Sequence, residues 1–291
     1  MKLTFLGTGA GEGYPGLWCD CKHCGYARKT GGKNIRANSC AQVDEDILLD
    51  MNAESFGAAN RFGLDLRGTR YLLVTHAHQD HFVPQHLKWR AMPTGYDTLA
   101  WQEAQGTGAP RYSPLPRMHI VGNAHVWNAM AQHPDIRGYG AEYDMDFTLA
   151  EPGVAIEFDN LTVIPVRSIH GPVKGFAVNY ILKRGGKTLL YALDTGGYEE
   201  DMLTVLRAHT YDCVIMEGTG GHTTRPPGGH MTTEKNIEMK NWFHDEGLLK
   251  EGAKVYISHM SPHWTPPYDE YAPQMEEKGM IVAYDGQTIR I

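Results

Sequence analysis

The run from Tyr71 to Phe82 constrains this chain more than any other stretch, because an apolar segment of strand type there delivers four metal-ligand side chains in quick succession: His76, His78, Asp80 and His81. A strand alternates its side chains with a period of two, so strand geometry carried to the end of the run would point His76 and His78 the same way, toward one ion. The chain must then turn. Asp80 and His81 come from that turn and can face a second ion beside the first. Imidazole and carboxylate donors suit zinc, manganese or iron, and a mixed site with few thiolates leaves positions open for water and substrate.

The rest of the composition narrows the setting. The chain has 291 residues, 42% of them hydrophobic, enough for one large domain over 1–291. No apolar run approaches a membrane span, and Leu3 to Leu6 is too short for the core of a signal peptide, so a cytoplasmic protein without a membrane partner is expected. A formal charge of −7 argues against a partner that is nucleic acid tracked over a broad basic surface. A small phosphate ester remains compatible, since bound cations reverse the local field. The glycine-rich turn Gly7 to Gly13 has Glu12 where a dinucleotide fingerprint needs its third glycine, so that reading fails.

Cys19, Cys21 and Cys24 supply three of the four donors of a tetrahedral structural zinc, in a zinc-binding loop near 18–33. They are too closely spaced to bridge one another easily, and five cysteines is an odd total, which fits metal binding in a reducing compartment. On spacing alone the fourth donor is open to Cys40, Cys213 or a distant histidine.

Downstream, Cys40 to Val43 and Ile47 to Asp50 read as paired strands, with Asp50 placed either to orient a metal ligand or to cap the following helix. Gln85 to Met92 reads as a short helix, and residues 93–116, rich in Gly, Pro, Thr and Tyr, read as an insertion forming part of the substrate mouth. His86, His119, His125 and His133 read as structural. Short strands follow at Val154 to Phe158, Leu161 to Val166, Phe176 to Leu182, Thr188 to Leu193, Asp212 to Met216 and Lys254 to Ser258, with helices at Tyr198 to His209 and Thr232 to Phe243. His170, Asp194 and His259 all stand at or just past strand ends, where one sheet edge could gather them with the central motif. A carboxylate can bridge two ions, and Asp194 is the candidate bridge.

The order His-x-His-x-Asp-His, then His170, Asp194 and His259, resembles the metallo-β-lactamase superfamily over nearly the whole chain. That resemblance implies a four-layer α/β/β/α sandwich with a binuclear site: His76, His78 and His170 on one metal, Asp80, His81 and His259 on the other, Asp194 between them. More narrowly, Leu6 to Gly9, Trp18 to Cys24 and Asn38 to Cys40 resemble the PhnP-like cyclic-phosphate phosphodiesterases of phosphonate degradation. Carried over from that family, His230 completes the structural zinc with the three cysteines, and His222 is the active-site histidine that protonates the leaving oxygen. The implied function is metal-dependent hydrolysis of a small cyclic or linear phosphodiester, with two divalent ions (Zn²⁺ or Mn²⁺, or else Fe²⁺), one structural Zn²⁺, and Asp80 steering the attacking water. Alternatives are a transfer-RNA 3′-processing nuclease, a lactone or thioester hydrolase, and a noncatalytic carrier protein of cofactor biosynthesis. A homodimer is compatible with the sequence and not required by it.

Overall fold

The structure, a computed structural model, describes residues 1–91, 115–133, 143–225 and 228–291. All but the last two residues of the insertion read at 93–116 lie outside that set. Along the chain the strands of a first sheet are β1 (Lys2–Gly7), β2 (Cys40–Val43), β3 (Ile47–Leu49), β4 (Tyr71–Leu73), β5 (Met118–Gly122), β6 (Met145–Leu149) and β14 (Thr288–Arg290). Those of a second are β7 (Ile156–Phe158), β8 (Leu161–Arg167), β9 (Val178–Arg184), β10 (Lys187–Ala192), β11 (Tyr211–Glu217), β12 (Leu249–Ser258) and β13 (Ile281–Val282). The orders are β14-β1-β2-β3-β4-β5-β6 and β13-β12-β11-β10-β9-β8-β7. Each sheet is antiparallel on one side and parallel on the other; β3 through β6 and β10 through β13 form the parallel parts.

Period-two alternation explains how the sheets stack. Tyr180 and Leu182 of β9, Leu189 and Tyr191 of β10, and Tyr71 and Leu73 of β4 share one core between the sheets. Ile181, Leu190 and Ala192 point the other way, into a second core closed by helices α4 (Glu200–Arg207), α5 (Thr233–Asp245) and α6 (Tyr268–Glu276). Leu72 and Ile120 face a third, under α2 (Ser55–Arg61) and α3 (Ala124–Ala131). The result is the expected α/β/β/α sandwich. The stretch 18–33 is not all loop: Lys22–Thr30 forms a helix, α1, that begins inside the cysteine cluster.

Two contacts pin the sheets to one another at opposite ends. Arg184 donates to Asp46 at 2.6 Å and to Asp44 at 3.1 Å. The Tyr180 hydroxyl donates to the carbonyl of Val74 at 2.7 Å, two residues before His76. That second bond fixes the strand end that carries the central motif. Among the described residues no helix is long and apolar enough to cross a membrane.

Candidate metal centre

Strand β4 stops at Leu73, earlier than its apolar run suggests, so His76 and His78 are not placed by strand alternation. The chain instead crosses the top of the sandwich: the carbonyl of Thr75 accepts from Val178 N of the second sheet at 3.0 Å. A tight turn follows, with His81 N and Phe82 N both donating to His78 O, and it swings Asp80 and His81 back beneath the first two histidines. Loops leaving β8, β10 and β12 bring His170, Asp194 and His259 to the same place.

All seven expected donors converge, in two sets. His76 Nε2 lies 2.9 Å from His78 Nδ1, which lies 3.1 Å from His170 Nε2. In the second set His81 Nε2 lies 3.0 Å from His259 Nε2 and 3.4 Å from Asp80 Oδ2. Asp194 Oδ2 touches both, at 2.5 Å from His81, 3.3 Å from His259 and 3.7 Å from His76. That oxygen is buried and has no hydrogen-bond partner. An orphaned carboxylate oxygen ringed by imidazole nitrogens is expensive in a protein interior unless a cation sits among them, so the donors fit a pair of metal ions. Burial alone would raise the Asp194 carboxyl; His259, His81 and His76 around it outweigh that and hold it well below the usual range. Burial likewise opposes charge on His81, yet the carboxylates of Asp194, Asp50 and Asp80 push it well above an ordinary histidine.

The donors are themselves held from behind. Asp50, fully buried, accepts from His81 Nδ1 at 2.7 Å and from the amide and hydroxyl of Thr75, so of its two sequence readings the structure shows the orienting one; the N-cap of α2 is Glu54. Thr219 Oγ1 lies 2.8 Å from His259 Nδ1. Both rings therefore turn Nε2 inward. Asp50, Asp194 and His259 all adopt left-handed backbone, at φ 62°, 48° and 56°. Non-glycine residues rarely do so, and such positions concentrate where function fixes the chain.

Two expectations are overturned. His230 is not with the cysteines: its Nδ1 lies 3.4 Å from Asp194 Oδ1 and 3.4 Å from Glu217 Oε2, and its ring is 4.9 Å from that of His170. His222 is not at the metal centre. It is exposed, its Nε2 pairs with Gln274 at 2.9 Å and its ring rests against Tyr271. The reason is local: His222 N is tied to Trp264 O, which turns the ring toward α6, whereas the Gly228–Gly229 turn folds back onto His170, whose Nδ1 lies 3.3 Å from Gly229 O. The sequence reading had missed Glu217. It ends β11 as Asp194 follows β10, is fully buried, and its carboxylate accepts from the amides of Thr219 and Met231. Burial opposes a charge on His230, but Glu217 and then Asp194 raise it to about 9.

The three thiols do cluster, each offering a sulfur within 4.8 Å of the others. Their neighbours are His23, whose Nδ1 bonds Pro262 O at 2.8 Å, and the next residue, His263, which shares a cleft wall with Cys19.

A four-layer sandwich with two adjoining His/Asp donor sets at one edge defines the metallo-β-lactamase fold. The chain belongs to that superfamily: the β-lactamase superfamily domain matches residues 47–249. Coenzyme PQQ synthesis protein B of Nitrosococcus oceani is 24% identical to it over 99% of both chains. Among solved structures, zinc-bound PqqB from Methylobacterium extorquens superposes with a TM-score of 0.70 at 16% identity over 100% of both chains. A diphosphatase of the PhnP family gives 0.69 at 20% identity over 99% of this chain and 96% of that one. At such identities the structural likenesses speak to the fold.

Proposed function

We propose that this protein is a binuclear metal-dependent hydrolase acting on a small phosphodiester. The observation that carries the proposal is the complete pair of donor sets sharing Asp194, with Oδ2 unpartnered between them. Two divalent cations held there, zinc, manganese or iron by donor chemistry, would supply a water deprotonated near neutral pH and would offset charge on the phosphoryl oxygens. The protein supplies the rest. Asp80, with 19% of its side chain exposed, is more open than Asp194 and orients the attacking water. His230, whose Nδ1 faces Glu217 at 3.4 Å, takes the role expected of His222 and donates a proton to the leaving alkoxide, a step worth about 10²- to 10⁴-fold. Nucleic acid and membranes are not required as partners. A separate structural zinc is assigned to Cys19, Cys21 and Cys24, without His230.

Turnover of bis(p-nitrophenyl) phosphate before and after chelation, with Zn²⁺ or Mn²⁺ restored, tests the reading. Activity that survives removal of all metal, or that never appears in any metal form, refutes it. His230→Ala should cost more on an alkyl leaving group than on p-nitrophenolate; equal losses remove the acid role. A second reading, a part in cofactor biosynthesis, is supported by the full-length match to coenzyme PQQ synthesis protein B. Loss of PQQ production in a deletion strain, restored by the intact gene, would favour it.

A further inference from the structure

Two of the seven donors reach the metal centre from strands that do not pair. His170 follows the end of β8 and Asp194 the end of β10, and the start of β9 lies between them. The two loops close over β9 and bond to one another there. Ser168 Oγ donates to the carbonyl of Asp194, Gly196 N donates to Ile169 O at 3.0 Å, and Ile169 N donates to Thr195 Oγ1 at 3.3 Å. From β9, Asn179 Nδ2 donates to Leu193 O at 2.6 Å, while its Oδ1 accepts from the Tyr198 hydroxyl at 2.9 Å. Ser168, Asn179 and Thr195 are all buried.

These bonds act on a backbone that needs holding. Asp194 is left-handed, with φ of 48°, a conformation a non-glycine residue leaves unless its surroundings fix it. Asn179 grips the carbonyl of the peptide before its Cα and Ser168 the carbonyl of the peptide after it, so both planes that set the Cα–Cβ direction are pinned. Ser168 also stands two residues before His170, so one hydroxyl ties the bridging carboxylate to a donor of the first set. We infer that Ser168 is a positioning residue for Asp194: its hydroxyl holds the left-handed turn from which Oδ2 stands between the two donor sets. This role rests on the two-cation reading of the centre and not on which ester is cleaved.

The test reads the metals, not turnover. Asp194 serves both sets, so Ser168→Ala should weaken both cations together, about 10- to 100-fold in a metal-buffer titration. It should also diminish the magnetic coupling seen by electron paramagnetic resonance in the Mn²⁺-loaded protein, a signal that requires two ions with a shared ligand. Ser168→Thr keeps the hydroxyl and should restore affinity and coupling. Thr195→Val is the contrast: it removes the bond to Ile169 N beside His170 but leaves Ser168 on Asp194, so it should weaken the His76/His78/His170 cation alone. Should the alanine variant not fold, Ser168→Cys, a weaker donor, carries the same test at smaller amplitude. Wild-type protein that binds Mn²⁺ without a coupled signal refutes the two-cation reading itself. A coupled wild type whose Ser168→Ala variant keeps affinity and coupling, or loses only the first cation as Thr195→Val does, overturns the role of Ser168, as does a threonine variant no better than alanine.

Discussion

Asp50→Asn is the most discriminating change behind the metal centre, because it alters one atom and leaves the shape intact. Asn accepts left-handed backbone readily, so φ of 62° at this position can persist. Asp50 now takes three donors: Thr75 N at 2.8 Å, Thr75 Oγ1 at 2.9 Å and His81 Nδ1 at 2.7 Å. If the amide oxygen keeps Thr75, the new NH₂ faces His81 Nδ1, which must become an acceptor. The ring proton then moves to Nε2, the atom turned toward Asp194 and His259, and His81 can no longer ligate. If the amide flips, two donors meet at Thr75 and a buried N–H is stranded, at about 1–3 kcal/mol. Loss of such a supporting contact typically lowers metal affinity 10- to 100-fold, or about 1.4–2.7 kcal/mol. Titration with a metal buffer, followed by elemental analysis, should show one cation released early while the other, and the ion proposed for the cysteine cluster, hold as in the wild type. An unchanged release profile would refute the tautomer argument, and loss of every ion together would show that the fold, not His81, had failed.

Two other changes probe the scaffold around the site. Gly229 has φ of 89°, and a Cβ there would meet Ile169 O at 2.9 Å and His170 Nδ1 at 3.1 Å. Gly229→Ala should therefore displace His170 and weaken the His76/His78/His170 cation about tenfold or more, read by chelator competition; unchanged affinity would show that the loop yields freely. Far from the metals, burial raises the Asp285 carboxyl to about 6, against the pull of Ala37 N–H, Thr8 and Arg36. A raised acid folds best protonated, so its favourable contribution is present below about pH 4 and is lost as pH climbs through 6, by at most roughly 3 kcal/mol. Urea titrations at pH 4.5 and 7.5 should show Asp285→Asn gaining on the wild type by about 1–3 kcal/mol at the higher pH. Parallel behaviour at both would contradict the raised value.

The metal donors were legible because they are chemically rare side chains at the ends of apolar runs, and the parallel strands of a sandwich deliver their ends to one edge. The reason first offered for His76 and His78 was nevertheless wrong. Strand pairing ends at Leu73: Val74 N still donates to Val121 O of the neighbouring β5, but Thr75 leaves the sheet and its carbonyl accepts from Val178 N of the second sheet, a partner far away in sequence. The exchange of His222 for His230 has the same origin. Both follow glycine turns after β11, and nothing local distinguishes them; Trp264 captures the first and Gly229 seats the second against His170.

Glu217 is the residue that separates the two histidines once the chain is folded. It closes an apolar strand on a carboxylate, as the Asp194 segment does, and a buried carboxylate at the sandwich edge demands a partner. Its oxygens accept the amides of Thr219 and Met231, and Met231 immediately follows His230. The same carboxylate thus sets the backbone on which His230 is carried and faces its Nδ1 across 3.4 Å. Backbone anchoring and charge pairing converge on one residue, so Glu217→Gln should preserve the loop only in part while removing the charge. A histidine that loses both its seat and its counter-charge differs from one that loses a hydrogen bond: proton donation to a poor leaving group would fall, whereas the seven donors, none of which bonds Glu217 directly among the described contacts, would still take up two cations. Metal content near that of the wild type with a selective loss on alkyl esters is the expected result. A parallel loss of both would place Glu217 in the metal scaffold instead.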